Sequence, residues 1–471
     1  MTDMPMTIKD AGEALRSGKI SSVELTTALL KKTKALNPTL GAFLTIMEDT
    51  AMTAAAEADA KFAAGTDLGP MQGIPYAIKD IIATKDAPTT GNSHVLDRKW
   101  GEGYDATVIA KLRAGGAVTM GKLVLNEFAI GMPYEGNGFP LPQNPWDLER
   151  SASGSSSGTG IAVSTGMVLG GLGTDTGGST RGPSSFNGHT GMKQTFGRVS
   201  KFGCVPLGYS LDNINPMARS AYDCALMLGV MAGYDPKDPT TVDVPVPDYI
   251  AGLNGDVRGM RIGLPMPYFF DAPDLDPETR AAVLKAVDVL KDAGAIVKEV
   301  VIPHAAEAKA AMWLTMVSEA FSYHHDDLGS MYDTYGIYTS VNLTRGALFS
   351  GGDFVQAQRF RSYFKKAVAK VMADLDVLVT PTSVGPAPKR SEMSPEKQLV
   401  ASSFTGHWNL TGLPAMATPC GFSSNGLPLS MQFIGKPFAE ATVFKVGDAY
   451  QRLTNFHLQV PPIAAAVGVA A

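Results

Sequence analysis

The feature that most constrains this chain is the stretch from Ser151 to Arg181, in which two Gly- and Ser-rich loops bracket one short apolar unit. Ser151 to Gly158 holds too much Ser and Gly for a single regular element, whereas Thr159 to Gly166 carries small and apolar residues suited to a helix packed closely on a sheet. Met167 to Gly173 then runs apolar without alternation, the pattern of a strand buried on both faces. It leads into Thr174-Asp175-Thr176-Gly177-Gly178-Ser179, where glycines let backbone N–H groups converge beside a hydroxyl. That layout suits an oxyanion hole next to a nucleophile.

A serine hydroxyl is a weak nucleophile until a base takes its proton, so the chain must supply one. Upstream, the strand-like run Gly73-Ile74-Pro75-Tyr76-Ala77-Ile78-Lys79-Asp80 ends in a lysine, and Lys79, Ser155 and Ser179 form a Ser-Ser-Lys set. With Ser153-Gly154-Ser155-Ser156-Ser157-Gly158-Thr159 and Gly173-Thr174-Asp175-Thr176-Gly177-Gly178-Ser179-Thr180-Arg181, the chain resembles the amidase signature family over nearly its whole length. It departs from the family pattern at Ser153, Ser157 and Thr159, where Gly, Gly and Ser are usual.

The resemblance implies a role for each matching residue. Ser179 is the expected acyl-forming nucleophile, Ser155 the bridging serine that follows a cis peptide bond, and Lys79 the general base. The backbone N–H groups of Thr176, Gly177, Gly178 and Ser179 are expected to hold the oxyanion, with Asp175 and Arg181 bracing the loop as a charge pair. A lysine titrates near 10.4 in water, so a base role requires burial or nearby cations to favour the neutral amine. No cofactor is expected.

Competing motifs are weaker. Gly154-Ser155-Ser156-Ser157-Gly158 satisfies the G-x-S-x-G nucleophile elbow, which would select Ser156, but that elbow follows an apolar strand and here a polar run, Asn144 to Arg150, precedes it. Gly116 to Lys122 approaches a phosphate loop, yet Leu123 stands where a magnesium-binding hydroxyl belongs. The seven histidines show no ligand spacing, so no metal is expected, and His324-His325-Asp326-Asp327 is expected to be an exposed helix end.

Composition narrows the class. The 471 residues carry a net charge of −5 and no basic stripe, which argues against nucleic acid as a partner. Cys204, Cys224 and Cys420 are scattered without metal spacing, as free thiols in a reducing compartment would be. The start of the chain lacks a basic-then-apolar signal and no run of about 18 apolar residues occurs. The expectation is a cytoplasmic protein with no membrane contact, a monomer or homodimer acting on a small-molecule amide or carbamate.

Along the chain, helices are predicted over Thr7 to Ser17, Ser22 to Leu36 (ended by Asn37-Pro38), Glu48 to Ala64, Asp105 to Ala114, Arg219 to Ala232, Pro277 to Ala293, His304 to Tyr323, Asp353 to Met372 and Glu440 to Thr454. Strands are predicted over Gly116 to Met120, Arg261 to Leu264, Ile296 to Ile302, Asp376 to Thr380, Gly412 to Thr418 and Leu427 to Ile434. This alternation predicts an α/β fold, one large mixed β-sheet covered by helices on both faces, the amidase signature fold. No linker divides the chain, so residues 1–471 are expected to form one domain: a signature core at about 70–220, with helices from 1–66 and strands and helices from 260–460 in the same globule.

Substrate choice is expected to lie in loops outside the signature. Met132, Tyr134, Trp313, Met316 and Phe404 are the candidate pocket residues, and their apolar character predicts a neutral aryl or alkyl amide, anilide or carbamate. The alternative within the same resemblance is the A subunit of a tRNA-dependent amidotransferase, which takes ammonia from glutamine. In such proteins an acidic residue is expected three positions before the Thr of T-x-x-x-N-L, and here Ser402 precedes Thr405.

Overall fold

The computed structural model describes residues 4–467, and its spine is one mixed sheet of eleven strands. They are β1 (Phe43–Ile46), β2 (Pro75–Lys79), β3 (Val118–Leu123), β4 (Gly170–Asp175), β5 (Thr190–Lys193) and β6 (Asn213–Ala218) in the first half. The second half supplies β7 (Arg261–Pro265), β8 (Ile296–Val300), β9 (Val377–Pro381), β10 (Ala415–Phe422) and β11 (Pro428–Gly435). Their spatial order is β1-β3-β2-β4-β6-β5-β10-β11-β9-β7-β8.

Two parallel cores, β3-β2-β4 and β9-β7-β8, are joined through antiparallel β6, β5, β10 and β11. Parallel strands need crossover helices, and helices accordingly cover both faces of the sheet. β2, β3, β4 and β9 are buried at every position, which is why none of them alternates between apolar and polar residues. β2 sits between β3 and β4, so the side chain at its C-terminal end, Lys79, emerges in the middle of the sheet.

The helix Ser157–Thr165 starts two residues earlier than expected, and β4 starts three residues later. Gly166 ends that helix in the left-handed conformation and residues 167–169 turn the chain into the strand. The second N-terminal helix runs through Pro38 to Leu40 instead of stopping at Asn37. Its end is held by Asn37, whose side chain exchanges hydrogen bonds with the Phe43 main chain and whose carbonyl accepts from the Gly41 N–H. β1, β5 and β6 have no counterpart among the expected strands: two are four residues long, and β6 contains Pro216. A proline argues against a central strand, yet here it stands opposite Leu172 of β4.

Among the described residues no helix is long and apolar enough to cross a membrane. The His324–His325 pair does not sit at a helix end, because that helix runs Ala305–Met331. His325 is exposed, but His324 is buried, bonded to the Tyr335 hydroxyl at 3.0 Å and packed on Phe128, and its burial lowers its pKa to about 4.

Candidate active site

The site forms where β2 and β4 end side by side and the helix Ser157–Thr165 begins. Lys79 is fully buried, and its Nζ lies 2.7 Å from Ser155 Oγ, 2.7 Å from Thr174 Oγ1 and 3.0 Å from Ser156 Oγ. Three hydroxyls and no carboxylate surround the amine. Burial disfavours its charged form and brings its pKa down to about 7, although Cys204, Asp175 and Asp212 pull in the opposite direction.

A neutral amine has two N–H donors and one lone pair, so one of the three hydroxyls must donate to it. Ser156 has little freedom to do so: its Oγ accepts from the Thr174 N–H and donates to the Thr174 carbonyl. Ser155 and Thr174 are left as donors to the lone pair. This arrangement can draw a proton from Ser155. Nothing in the sequence marks Ser156 and Thr174 as partners of the lysine beyond their standing next to Ser155 and Asp175.

Ser155 is buried and follows a cis peptide bond with Gly154, whereas Gly177, Gly178 and Ser179 are partly open to solvent. The two loops are joined by the Ser156 N–H, which donates to the Ser179 carbonyl at 3.2 Å. The Lys79 amine and the Ser155 hydroxyl therefore sit inside, and the candidate nucleophile sits at the surface of the site.

The loop carrying Ser179 is braced from within. Arg181 and Asp175 are fully buried and form a two-pronged pair at 3.0 Å. The remaining guanidinium donors reach the Thr405 carbonyl, Gln432 Oε1 and Asn409 Oδ1, so the charge is both paired and hydrogen-bonded. Burial alone would raise the Asp175 pKa, but the Arg181 charge and hydrogen bonds, with help from Lys193 and Asn409, hold it below the usual carboxylate range. Asn409 and Gln432 have no signal in the sequence, because they come from the far end of the chain.

Asp175 also takes the Gly178 N–H at 2.8 Å, which commits that amide to the loop. The N–H groups of Thr176, Gly177 and Ser179 are left as the candidate oxyanion donors. Gly178 has φ 136°, and a β-carbon there would collide with the Thr405 side chain, so only glycine fits. On the outer side, Thr176 Oγ1 donates to Asp212 Oδ1 at 2.5 Å, and Asp212 itself accepts from the Leu207 and Gly208 N–H groups.

The candidate pocket residues divide. Met316 lies within 3.5 Å of where a β-carbon on Gly208 would stand, and its helix neighbour Met312 lies within 3.3 Å of one on Gly177. Trp313, on the same helix, is half-buried. Phe404 is buried in an aromatic cluster with Tyr268 and Phe269, while its neighbour Thr405 meets the site by donating to the Gly177 carbonyl at 2.7 Å. Met132 is buried and Tyr134 is exposed, and both line a small crevice with Glu127 and Phe139. A separate cavity of about 220 Å³ reaches Thr174 and Thr176 and is lined by Ala129, Cys204, Leu207 and Asp212.

Of the departures at residues 153, 157 and 159, only the last has a local solution. Thr159 Oγ1 donates to the Leu172 carbonyl, tying the helix to β4, while the Ser157 hydroxyl is buried without a hydrogen-bond partner. Ser153 adopts φ 61°, a left-handed conformation that disfavours a side chain by about 1–2 kcal/mol. Replacement Ser153→Gly is therefore expected to stabilise the protein by about 1 kcal/mol, read as a shift of the urea midpoint at unchanged slope; an unchanged or lower midpoint would show that the strain is not there.

Residues 24–444 match the family model described as Amidase. The chain is 42% identical to the A subunit of a glutamyl-tRNA(Gln) amidotransferase from Roseiflexus, over 97% of this chain and 98% of that protein. Among solved structures, the A subunit of the glutamyl-tRNA(Gln) amidotransferase of Thermotoga maritima superposes with a TM-score of 0.81 at 33% identity, covering 97% of each chain. The peptide amidase of Stenotrophomonas maltophilia superposes with a TM-score of 0.84 at 28% identity, covering 95% of this chain and 98% of that one. These relatives correct the expectation of a monomer or homodimer that meets only a small molecule and no nucleic acid, since several are named as subunits of a tRNA amidotransferase. The argument against nucleic acid rested on net charge and the lack of a basic stripe, which describe the surface of one chain and not what that surface meets. With the family model spanning most of its length, the chain belongs to the amidase signature family.

Proposed function

We propose that this enzyme cleaves an amide C–N bond through an acyl-enzyme on Ser179, with Ser155 as proton relay and Lys79 as base. The observation that carries this reading is a buried lysine with a pKa near 7, held by hydroxyls alone, 2.7 Å from Ser155 Oγ. Lys79 takes the Ser155 proton as Ser155 takes that of Ser179. Ser179 Oγ bonds to the amide carbon, and the N–H groups of Thr176, Gly177 and Ser179 stabilise the oxyanion. As the C–N bond breaks, Ser155 passes a proton to the leaving nitrogen. Water then attacks the ester and releases the acid, returning the proton to Ser179.

For the amide itself, glutamine is the first reading, with the chain acting as the A subunit of a tRNA-dependent amidotransferase that uses the released ammonia. The identity to such proteins over nearly full length supports it. The carboxylate expected at Ser402 is absent from the sequence, but Asp274 Oδ2 accepts the Ser402 N–H at 2.8 Å and brings an acidic group to that position from another segment. The second reading, a neutral aryl or alkyl amide, anilide or carbamate, is favoured by the methionines against Gly177 and Gly208.

Two outcomes are expected. Because Lys79 must be neutral to act, kcat/KM falls below pH 7, roughly tenfold per unit, and levels off above it. Lys79→Ala lowers kcat by about 10²–10⁴-fold and removes that inflection; a variant retaining the same profile would contradict the base role. Second, glutamine hydrolysis is expected to rise strongly when amidotransferase partner proteins are added to the purified chain. Rapid turnover of a neutral aryl amide by the chain alone, with glutamine inert under both conditions, would reject the first reading in favour of the second.

A further inference from the structure

The reaction described above requires an acceptor for the N–H of the scissile amide, and most acceptors at the site are already engaged. The Ser155 carbonyl receives the Asn126 N–H, the Ser179 carbonyl receives the Ser156 N–H, and the Thr174 carbonyl receives Ser156 Oγ. The Gly177 carbonyl receives Thr405 Oγ1, and the Asp175 carboxylate is shared by Arg181, Asn409 and Gly178.

An uncommitted side-chain acceptor stands beside the residue that precedes Ser155. Asn126 is 7% exposed, and its Oδ1 has no hydrogen-bond partner. Its orientation is fixed from the other side, since Nδ2 donates to the Gly131 carbonyl at 2.8 Å and only this placement of the amide makes that bond. Oδ1 lies 2.6 Å from where a β-carbon on Gly154 would stand, so the carboxamide rests directly on the residue before Ser155.

The segment that carries Asn126 is held in an uncommon backbone conformation. Phe128 and Ala129 adopt φ 49° and 61° in succession, followed by Gly131 at 76°. Left-handed conformations at consecutive residues with side chains persist only where the surroundings impose them, and they concentrate at functional sites. The same turn places Ala129 on the wall of the cavity that reaches Thr174 and Thr176. The segment thus sets Asn126 against Gly154 and Ala129 against the cavity beside Thr174 and Thr176.

We propose that Asn126 is a specificity-determining residue whose Oδ1 accepts the hydrogen bond of the scissile N–H, so that the site favours amides over esters of the same acid. This rests on the reading that Ser155 delivers a proton to the leaving nitrogen. An amide bound at Ser179 presents its nitrogen to Ser155, and the N–H that lies toward Gly154 finds Asn126 Oδ1. An ester offers an oxygen without hydrogen at that position and leaves the buried acceptor unpaired, which a site built for a donor penalises.

The test compares kcat/KM for matched pairs, glutamine against glutamate γ-methyl ester and benzamide against methyl benzoate, in the wild type, Asn126→Leu and Asn126→Asp. The assays use the complete enzyme in whichever assembly turns over the amide. Taking the amide-to-ester ratio within each variant cancels any loss of folded protein. The ratio is expected to fall at least tenfold in Asn126→Leu, which fills the space without an acceptor, and to recover in Asn126→Asp, which keeps one. A ratio unchanged in Asn126→Leu, or lowered equally in Asn126→Asp, overturns the proposal. Ser179→Ala serves as the separate control: if it retains turnover, the underlying catalytic reading fails whatever the ratio does.

Discussion

The desolvation of one lysine is the constraint on which the rest of this structure depends. An ammonium taken out of water without a counter-charge is costly enough that the group gives up its proton instead. The neighbouring strand shows the other solution: Lys122, equally buried on β3, has a carboxylate partner, Asp80, at 2.9 Å. Lys79 on β2 is given hydroxyls in place of a carboxylate, and a lysine so placed has a lone pair to use near neutral pH. Exposure at the sheet edge or an acid beside it would each favour its charged form. The position of β2 between two parallel strands is what keeps that amine buried.

The second constraint is the shape of the loop that presents Ser179. Backbone N–H groups can serve an oxyanion only if the loop is fixed before the substrate arrives. Asp175 and Arg181 fix it from below through a pair whose remaining donors reach Thr405, Asn409 and Gln432. Asp212 holds it from the side through Thr176. Such a buried pair is retained for the geometry it enforces; replacing one partner would strand the other charge and destabilise by about 3–5 kcal/mol. The C-terminal strands and the Gly406–Thr411 helix are therefore part of the site, although they contribute none of the reacting groups.

Much of this was legible in the sequence because it is local. The apolar run before Thr174, the lysine at the end of an apolar strand and the paired Gly-Ser loops each announce themselves within a few residues, and they led to the α/β mixed sheet and to the cluster around Lys79. What stayed hidden depends on partners distant along the chain. β6 is a strand despite Pro216 because β4 and β5 flank it; Asn409 and Gln432 become loop braces only when the sheet closes across β10 and β11. His324 is buried because Phe128 and Tyr335 cover it, which no helical pattern reveals. The likeness to amidotransferase subunits was legible only as an alternative, since the composition of one chain reports its surface charge and not what that surface meets.

The most direct test of this account is the titration of the Lys79 side chain itself, followed by NMR of protein carrying isotope-labelled lysine, with Lys79→Ala used to assign the resonance. The account predicts that the resonance missing from the variant's spectrum is one that loses its proton near pH 7, while the other buried lysine brought down to about 7, Lys193, remains in it. A Lys79 resonance that titrates near 10.4, as a solvated lysine does, would contradict it.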